Sequence, residues 1–343
     1  MRANMLIGAL LLVFLIRTSV SSSIYDLVIN AVTCGCNRPT NLNVSECKIY
    51  YYNFETNSNA SYYIDDAAAS IQARSDFDSD QCLHLFIPGF TNNINSTPSN
   101  VVRCALANYT CNSKKIALAI IDHSPYLSPS NILEEINYVK SYQDAVKYTK
   151  SVSYSLGKFM VSMIQKLGTD NVMASGHSLG GQMVGAMANY TKNEGYTLQR
   201  ILAIDPAGPC YKDCESEHVK SGQAEEVMAI HCNAGELGSY LNLTDYDAYS
   251  GNGVDQDCEG ANAIDLIAKG EASSCSHSKC VPIAMQTALQ SNIWNATECG
   301  SYAAYSSGSC SGNNTLLVGY NKTGDGNEGT YFFEPSDSFT CSS

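Results

Sequence analysis

A serine stands between two glycines in Gly176-His177-Ser178-Leu179-Gly180. A serine hydroxyl attacks a carbonyl only when a base takes its proton, and that base is usually a histidine oriented by a carboxylate. Asp205 closes the apolar run "RILAID" (200–205) ahead of Pro206, Ala207 and Gly208, where such an acid belongs. An aspartate that merely starts a turn is the plainer alternative. Of the 6 histidines, His84 and His123 precede Ser178, and His177 is its immediate neighbour, which denies it the role of base. His218 lies in a charged stretch and is expected at the surface. His231 ends the strand-like "EVMAIHC" and reads as a buried structural residue. His277 lies in "SSCSHSKC", a loop pinned by Cys275 and Cys280, and is the favoured base, with His231 the alternative. The oxyanion formed on attack needs preorganised donors. The backbone N–H groups of Leu179 and of Phe90, in "IPGFT" (87–91), are the candidates. An ordinary strand-end turn is the other reading of that second segment.

Such groups need elements that hold them. "CLHLFIPGF" (82–90), "KIALAIID" (115–122), "NVMAS" (171–175) and "RILAID" read as strands. Residues 144–168 place Val146, Val152, Leu156, Phe159, Met160, Met163 and Leu167 at helical spacing, and 181–191 reads as a second helix. Strands alternating with helices predict an α/β fold, a mostly parallel sheet with helices on both faces. Reactive groups gather at the carboxyl ends of such strands. The serine motif then falls between a strand and a helix, as a strained turn that exposes the hydroxyl. Gly176 and Gly180 are required there because side chains would collide with neighbouring backbone.

Composition narrows the setting. A formal net charge of -13 argues against nucleic acid or anionic membranes as bulk electrostatic partners. A hydrophobic fraction of 44% supports a sizeable core and argues against disorder. Arg2, the apolar run from Met5 to Ile16 and the small residues Ser19 and Ser21 to Ser23 predict a signal peptide over 1–23, with a signal anchor as the alternative. Residues 24–343 are then a single domain. No later stretch is apolar and long enough to span a membrane. All 15 cysteines follow residue 30, which suits an oxidising compartment, and their odd number leaves a thiol over. Their spacings do not form two CxxC pairs, which argues against zinc. No cofactor is expected. Sequons at Asn43, Asn59, Asn95, Asn108, Asn189, Asn242, Asn295, Asn313 and Asn321 point to glycosylation.

The stretches "FIPGF", "AIIDHSPYL", "NVMASGHSLGGQMVG", "ILAIDPAGP", "AIHCNAGELG" and "CSHSK" occur in this order, and "LVGY" and "GTYFFEPSDSF" follow them. Together they resemble the pancreatic-lipase family of secreted lipases and phospholipases A1, insect members included. The resemblance implies an α/β-hydrolase fold and hydrolysis of lipid esters at a water–lipid interface. It carries Ser178, Asp205 and His277 over as nucleophile, acid and base, and the backbone of Phe90 and Leu179 as the oxyanion hole. Three departures stand out. Pro88-Gly89 replaces the family's His-Gly before the aromatic of the oxyanion turn. "IHC" replaces "IHT", which frees Cys232 for a disulfide. The acidic residues and arginine with which some lipases bind calcium do not line up in "EHVKSGQAEEVMAIHC", so no metal is expected. The chain ends at 343, so neither the β-sandwich domain of vertebrate lipases nor a colipase-type partner is expected.

By the same resemblance, the segment between Cys258 and Cys275 is a lid, with Ala261, Ile264, Leu266 and Ile267 on its apolar side. A disulfide-tied surface helix without a gating role is the alternative. In the family, long lids accompany triacylglycerol hydrolysis and short ones phospholipase A1 activity, and this one is intermediate. Acylglycerol is the first expectation for the substrate and phospholipid the second. A lipid-binding or storage protein on the same fold is the remote third, disfavoured because every triad residue is kept. The expected disulfides are Cys258–Cys275, Cys104–Cys111 and Cys299–Cys310.

Overall fold

A strand covered on both faces reads as an unbroken apolar run. Leu83–Ile87, Ala117–Asp122, Arg200–Ile204 and Glu226–His231 have this character and are buried almost throughout. In the computed structural model they lie at the middle of an 11-stranded sheet. The structure describes residues 32–127, 135–256, 275–289, 294–321 and 327–335. The expected signal peptide, Cys258 and the lid residues Ala261, Ile264, Leu266 and Ile267 lie outside them.

The strands are β1 (Lys48–Asn53), β2 (Ser58–Tyr63), β3 (Leu83–Ile87), β4 (Thr110–Cys111), β5 (Lys114–Lys115), β6 (Ala117–Asp122) and β7 (Val172–His177). They continue with β8 (Arg200–Ile204), β9 (Glu226–His231), β10 (Tyr246–Ser250), β11 (Trp294–Glu298), β12 (Thr315–Val318) and β13 (Gly329–Phe333). The sheet order is β12-β11-β13-β10-β9-β8-β7-β3-β6-β1-β2, with β4 and β5 forming a separate ribbon. From β6 across to β13 every pair is parallel. Antiparallel pairs close both flanks. The expected α/β architecture is the one formed.

Alternate residues of each central strand serve different cores. Leu83, Leu85, Ile87 and Ala119 pack with Leu156, Phe159 and Met160 of the helix Glu135–Leu167 and Met183 and Met187 of the helix Leu179–Asn193. Phe86, Leu118, Ile120, Leu202 and Ile230 face the other way. They meet Val102 and Leu106 of the helix Thr97–Leu106 and Val281 and Met285 of the helix Cys275–Leu289. Fully burying one such side chain stabilises by about 1.5–3 kcal/mol. The strand ends are therefore fixed by a stiff, doubly covered sheet. Among the described residues, no helix is long and apolar enough to cross a membrane.

Disulfides tie loops to this frame. Cys34–Cys210 and Cys36–Cys214 join the N-terminal segment to the loop after β8. Cys232–Cys280 joins the end of β9 to the helix Cys275–Leu289, and Cys299–Cys310 forms as expected. The expected Cys104–Cys111 pair does not form. Cys111 bonds Cys82 instead, at a Cα separation of 6.0 Å. The ribbon folds back beside the start of β3, where the Ala117 N–H donates to the Cys82 carbonyl. Cys104 is bonded elsewhere, and the Cys258–Cys275 expectation lies outside the described residues. Cys47 is the free thiol among the described residues, buried and pushed up by that burial.

The sequon asparagines Asn43, Asn59, Asn95, Asn108, Asn242, Asn295 and Asn313 are exposed. Asn189 and Asn321 are half-buried. The Thr191 hydroxyl of the Asn189 sequon is buried and donates to the Ala188 carbonyl. The Asn321 side chain accepts from the Tyr109 hydroxyl.

Candidate active site

Ser178 sits at the carboxyl end of β7, directly before the helix Leu179–Asn193, with φ 57 and ψ -121. An L residue held there is strained by about 1–3 kcal/mol. Neighbouring backbone holds it in place. The Ser178 N–H donates to the Ile204 carbonyl at 3.0 Å, and the Ala207 N–H donates to the Ser178 carbonyl at 3.0 Å. The elbow glycines behave as expected. A Cβ on Gly176 would lie 2.1 Å from the Gly180 carbonyl oxygen, and one on Gly180 would lie 1.9 Å from that of Ile87. Both distances are far inside van der Waals contact.

Asp205 follows β8 with φ 42 and is fully buried. His277 Nδ1 lies 2.5 Å from Asp205 Oδ2. The Nδ1–H therefore donates to the carboxylate, which leaves Nε2 as the basic nitrogen. Asp205 Oδ1 accepts the N–H groups of Cys232 (3.0 Å) and Asn233 (3.2 Å). Burial alone would push the Asp205 carboxyl up. The His277 imidazole and the Cys232 N–H outweigh burial and hold the carboxyl below its ordinary value. His277 is not in a loop as expected but in the first turn of the helix Cys275–Leu289. Cys280, one turn on, is bonded to Cys232, whose own N–H holds Asp205. One disulfide thus links a residue that holds Asp205 to the helix that carries His277.

His177 brings Ser178 to His277. Its Nε2–H donates to the His277 carbonyl at 3.0 Å, and the two rings are 4.7 Å apart. Burial pushes the His177 imidazole down to about 3, with the neighbouring His277 adding to the shift. It is therefore a neutral donor. The segment 87–90 abuts the serine, since a Cβ on Gly89 would come 2.8 Å from the Ser178 Cβ. Phe90 is buried edge-on against Tyr142 at 5.2 Å.

The other histidines divide. His231 is buried, 2.8 Å from Asp247 through Nε2 and 3.1 Å from the Ser239 carbonyl through Nδ1, in keeping with the structural reading. His218 corrects the expectation of a surface residue. Its ring is buried, with Nδ1 2.6 Å from the Val219 carbonyl and Nε2 2.8 Å from the Ser239 hydroxyl. The neighbouring charge of Glu217 is turned to Arg38 and Lys150 instead. His84 is buried between the Ser175 and Tyr320 hydroxyls, each at 2.7 Å. A cavity of about 140 Å³, lined by Arg38, Lys150, Gln182, Asn189 and Glu217 among others, flanks the helix Leu179–Asn193. Ser178, Asp205 and His277 do not line it.

Gly238 escaped the sequence reading, although it ends the quoted "AIHCNAGELG". A Cβ there would stand 2.4 Å from Asp205 Oδ1. Gly238→Ala is expected to displace the carboxylate and lower kcat by roughly 100-fold, since small misplacements of a catalytic group have effects of that order. Turnover per serine titrated with a phosphonate checks this, and an unchanged value would remove Gly238 from the site.

Comparison with known proteins adds kinship. A family model described as Lipase matches residues 29–330. Phospholipase A1 member A of Rattus norvegicus is 28% identical over 49% of this chain and 36% of its own length. Phospholipase A1 2 of Dolichovespula maculata is 32% identical over 41% of this chain and 45% of its own length. The chain thus spans less than half the length of these two relatives. Among solved structures, a Pyrobaculum calidifontis esterase aligns with 62% of this chain and 70% of its own, at 13% identity and a TM-score of 0.32.

Proposed function

Because the chain belongs to the Lipase family, we infer that it is a secreted serine hydrolase that releases fatty acids from lipid esters. The observation that carries this reading is the arrangement at the sheet's carboxyl edge. Ser178 is held in a strained turn, the segment 87–90 lies against it, and a buried Asp205–His277 pair stands beside its neighbour His177.

Ser178 Oγ attacks the ester carbonyl carbon, and its proton passes to His277 Nε2. Asp205 stabilises the imidazolium that forms. The carbonyl oxygen, now negative, is met by the N–H groups of Phe90 and Leu179. Collapse of the intermediate expels the alcohol, which takes the proton from His277 and leaves an acyl group on Ser178. Water, deprotonated by His277, attacks the acyl carbon; the Ser178 Oγ leaves, takes the proton back from His277, and the fatty acid is released. Residues 1–23 direct export and 24–343 form the catalytic domain. The disulfides and exposed sequons support an extracellular setting.

Acylglycerol is the first substrate reading from the lid length. The names of the rat and hornet relatives favour the phospholipid reading. Fatty-acid release from triolein emulsion and from phosphatidylcholine vesicles, measured side by side, separates the two. Release from triolein selects the first reading. Release from phosphatidylcholine alone, at the sn-1 ester, selects the second. Folded protein that releases fatty acid from neither overturns the lipid-hydrolase reading.

A further inference from the structure

The parallel register of β3 and β6 sets Leu83 level with Ala117 and Phe86 level with Ile120. Two residues further on, Pro88 and the end of β6 reach the same edge. His123 follows β6 there, and its ring is fully buried. Its Nε2 lies 2.8 Å from the Pro88 carbonyl oxygen, and among the described residues its Nδ1 has no partner. A carbonyl only accepts, so Nε2 carries the proton and donates it. Burial holds the imidazole below its ordinary value despite the Pro88 carbonyl and Asp122. The ring is thus a neutral donor whose described contact is the turn beside Ser178.

That turn needs such a contact. Pro88 has no N–H of its own, and Gly89 has no side chain to restrict its torsions. The following planes are held locally: the Asn92 N–H donates to the Gly89 carbonyl at 3.2 Å, and Asn92 Nδ2 donates to the Phe90 carbonyl at 3.2 Å. The Thr91 N–H donates to the Leu127 carbonyl at 3.1 Å, in the short helix that follows His123. The Pro88–Gly89 plane is held from His123. The imidazole comes from the residue just past the adjacent strand β6.

We propose that His123 is a positioning residue of the oxyanion hole: its Nε2–H clamps the Pro88 carbonyl and so anchors the plane that leads into the Gly89–Phe90 plane, which carries the Phe90 N–H and is held on its other side by Asn92. The proposal rests on the assignment of Ser178 as nucleophile. It does not depend on which lipid ester is the natural substrate.

His123→Leu removes the donor, and His123→Gln keeps an amide N–H on a side chain that reaches a similar distance. Active serine is first counted in each variant by end-point labelling with a fluorophosphonate. Turnover of a p-nitrophenyl ester per labelled serine is then measured, with the affinity for a trifluoromethyl ketone whose adduct carries the oxyanion. The leucine variant is expected to lose roughly 10- to 100-fold in kcat at nearly constant KM, less than deletion of a direct oxyanion donor. Ketone affinity should fall by the same factor, and the glutamine variant should recover most of both. If the leucine variant does not fold, the glutamine variant must still show kcat and ketone affinity moving together. A folded leucine variant with wild-type kcat per labelled serine, or either variant with a lower kcat but unchanged ketone affinity, overturns the proposal. Wild-type protein whose Ser178 is not labelled at all would instead overturn the reading of the site.

Discussion

Ser178→Ala is expected to lower ester hydrolysis by roughly five to six orders of magnitude and to leave the protein folded. In the proposed mechanism, the chemical effect follows from the loss of the hydroxyl oxygen that carries the acyl group. What remains is the smaller acceleration that binding and the oxyanion donors give to direct attack by water. The fold should tolerate the change because alanine keeps the Cβ against which Gly89 is packed. The backbone hydrogen bonds of the turn, to Ile204 and from Ala207, do not involve the hydroxyl. Both residues bear the strain of φ 57 alike. Turnover of a soluble ester, fluorophosphonate labelling and the midpoint of thermal unfolding together make the check. Lost turnover and labelling at an unchanged midpoint is the expected result. Wild-type turnover in the alanine variant would sink the mechanism, and Asp205 and His277 would then need another explanation.

The parts of this site that were legible in sequence are those whose constraints are local. Gly176 and Gly180 had to be glycines because the strand-to-helix turn brings backbone against them, and the two collisions are the ones found. The pairing of Asp205 with His277 was legible from chain order and flanking residues. The central strands were legible because burial on both faces leaves an apolar run. What stayed hidden depends on pairing between distant segments. His218 sits among charges in the chain, yet its ring is met by Ser239 from the loop after β9 while Glu217 turns to Arg38. Cys111 lies near Cys104 in sequence, but the ribbon carries it to Cys82. His123 becomes a partner of Pro88 only through the β3–β6 register. Its place just past a strand's carboxyl end was the one signal that could have drawn attention to it.

Acid is expected to destabilise the fold steeply, starting well above the carboxylate range. Burial pushes His84 and His177 down to about 3 and His218 down to about 4, and it lowers His123 as well. In the unfolded chain each would bind a proton near pH 6.5. Between that value and the folded-state values the unfolded state holds more protons, so stability falls as pH falls. Each histidine kept neutral removes on the order of 2 kcal/mol by pH 5, out of a total that is typically about 5–15 kcal/mol. Above pH 7 these groups contribute no slope. Asp205 acts lower down: its depressed carboxyl contributes stability that is present above the ordinary carboxylate value and lost as pH drops through the folded one. Urea unfolding with the disulfides intact, from pH 7.5 to pH 4, measures the slope, and His218→Gln should make it shallower by about one proton. A stability flat over that range would mean that these rings are not held neutral. The consequence reaches the chemistry, because two of them hold carbonyls of the site, His177 that of His277 and His123 that of Pro88. Protonation that loosens the fold would therefore loosen the supports of His277 and of the Pro88–Gly89 turn together.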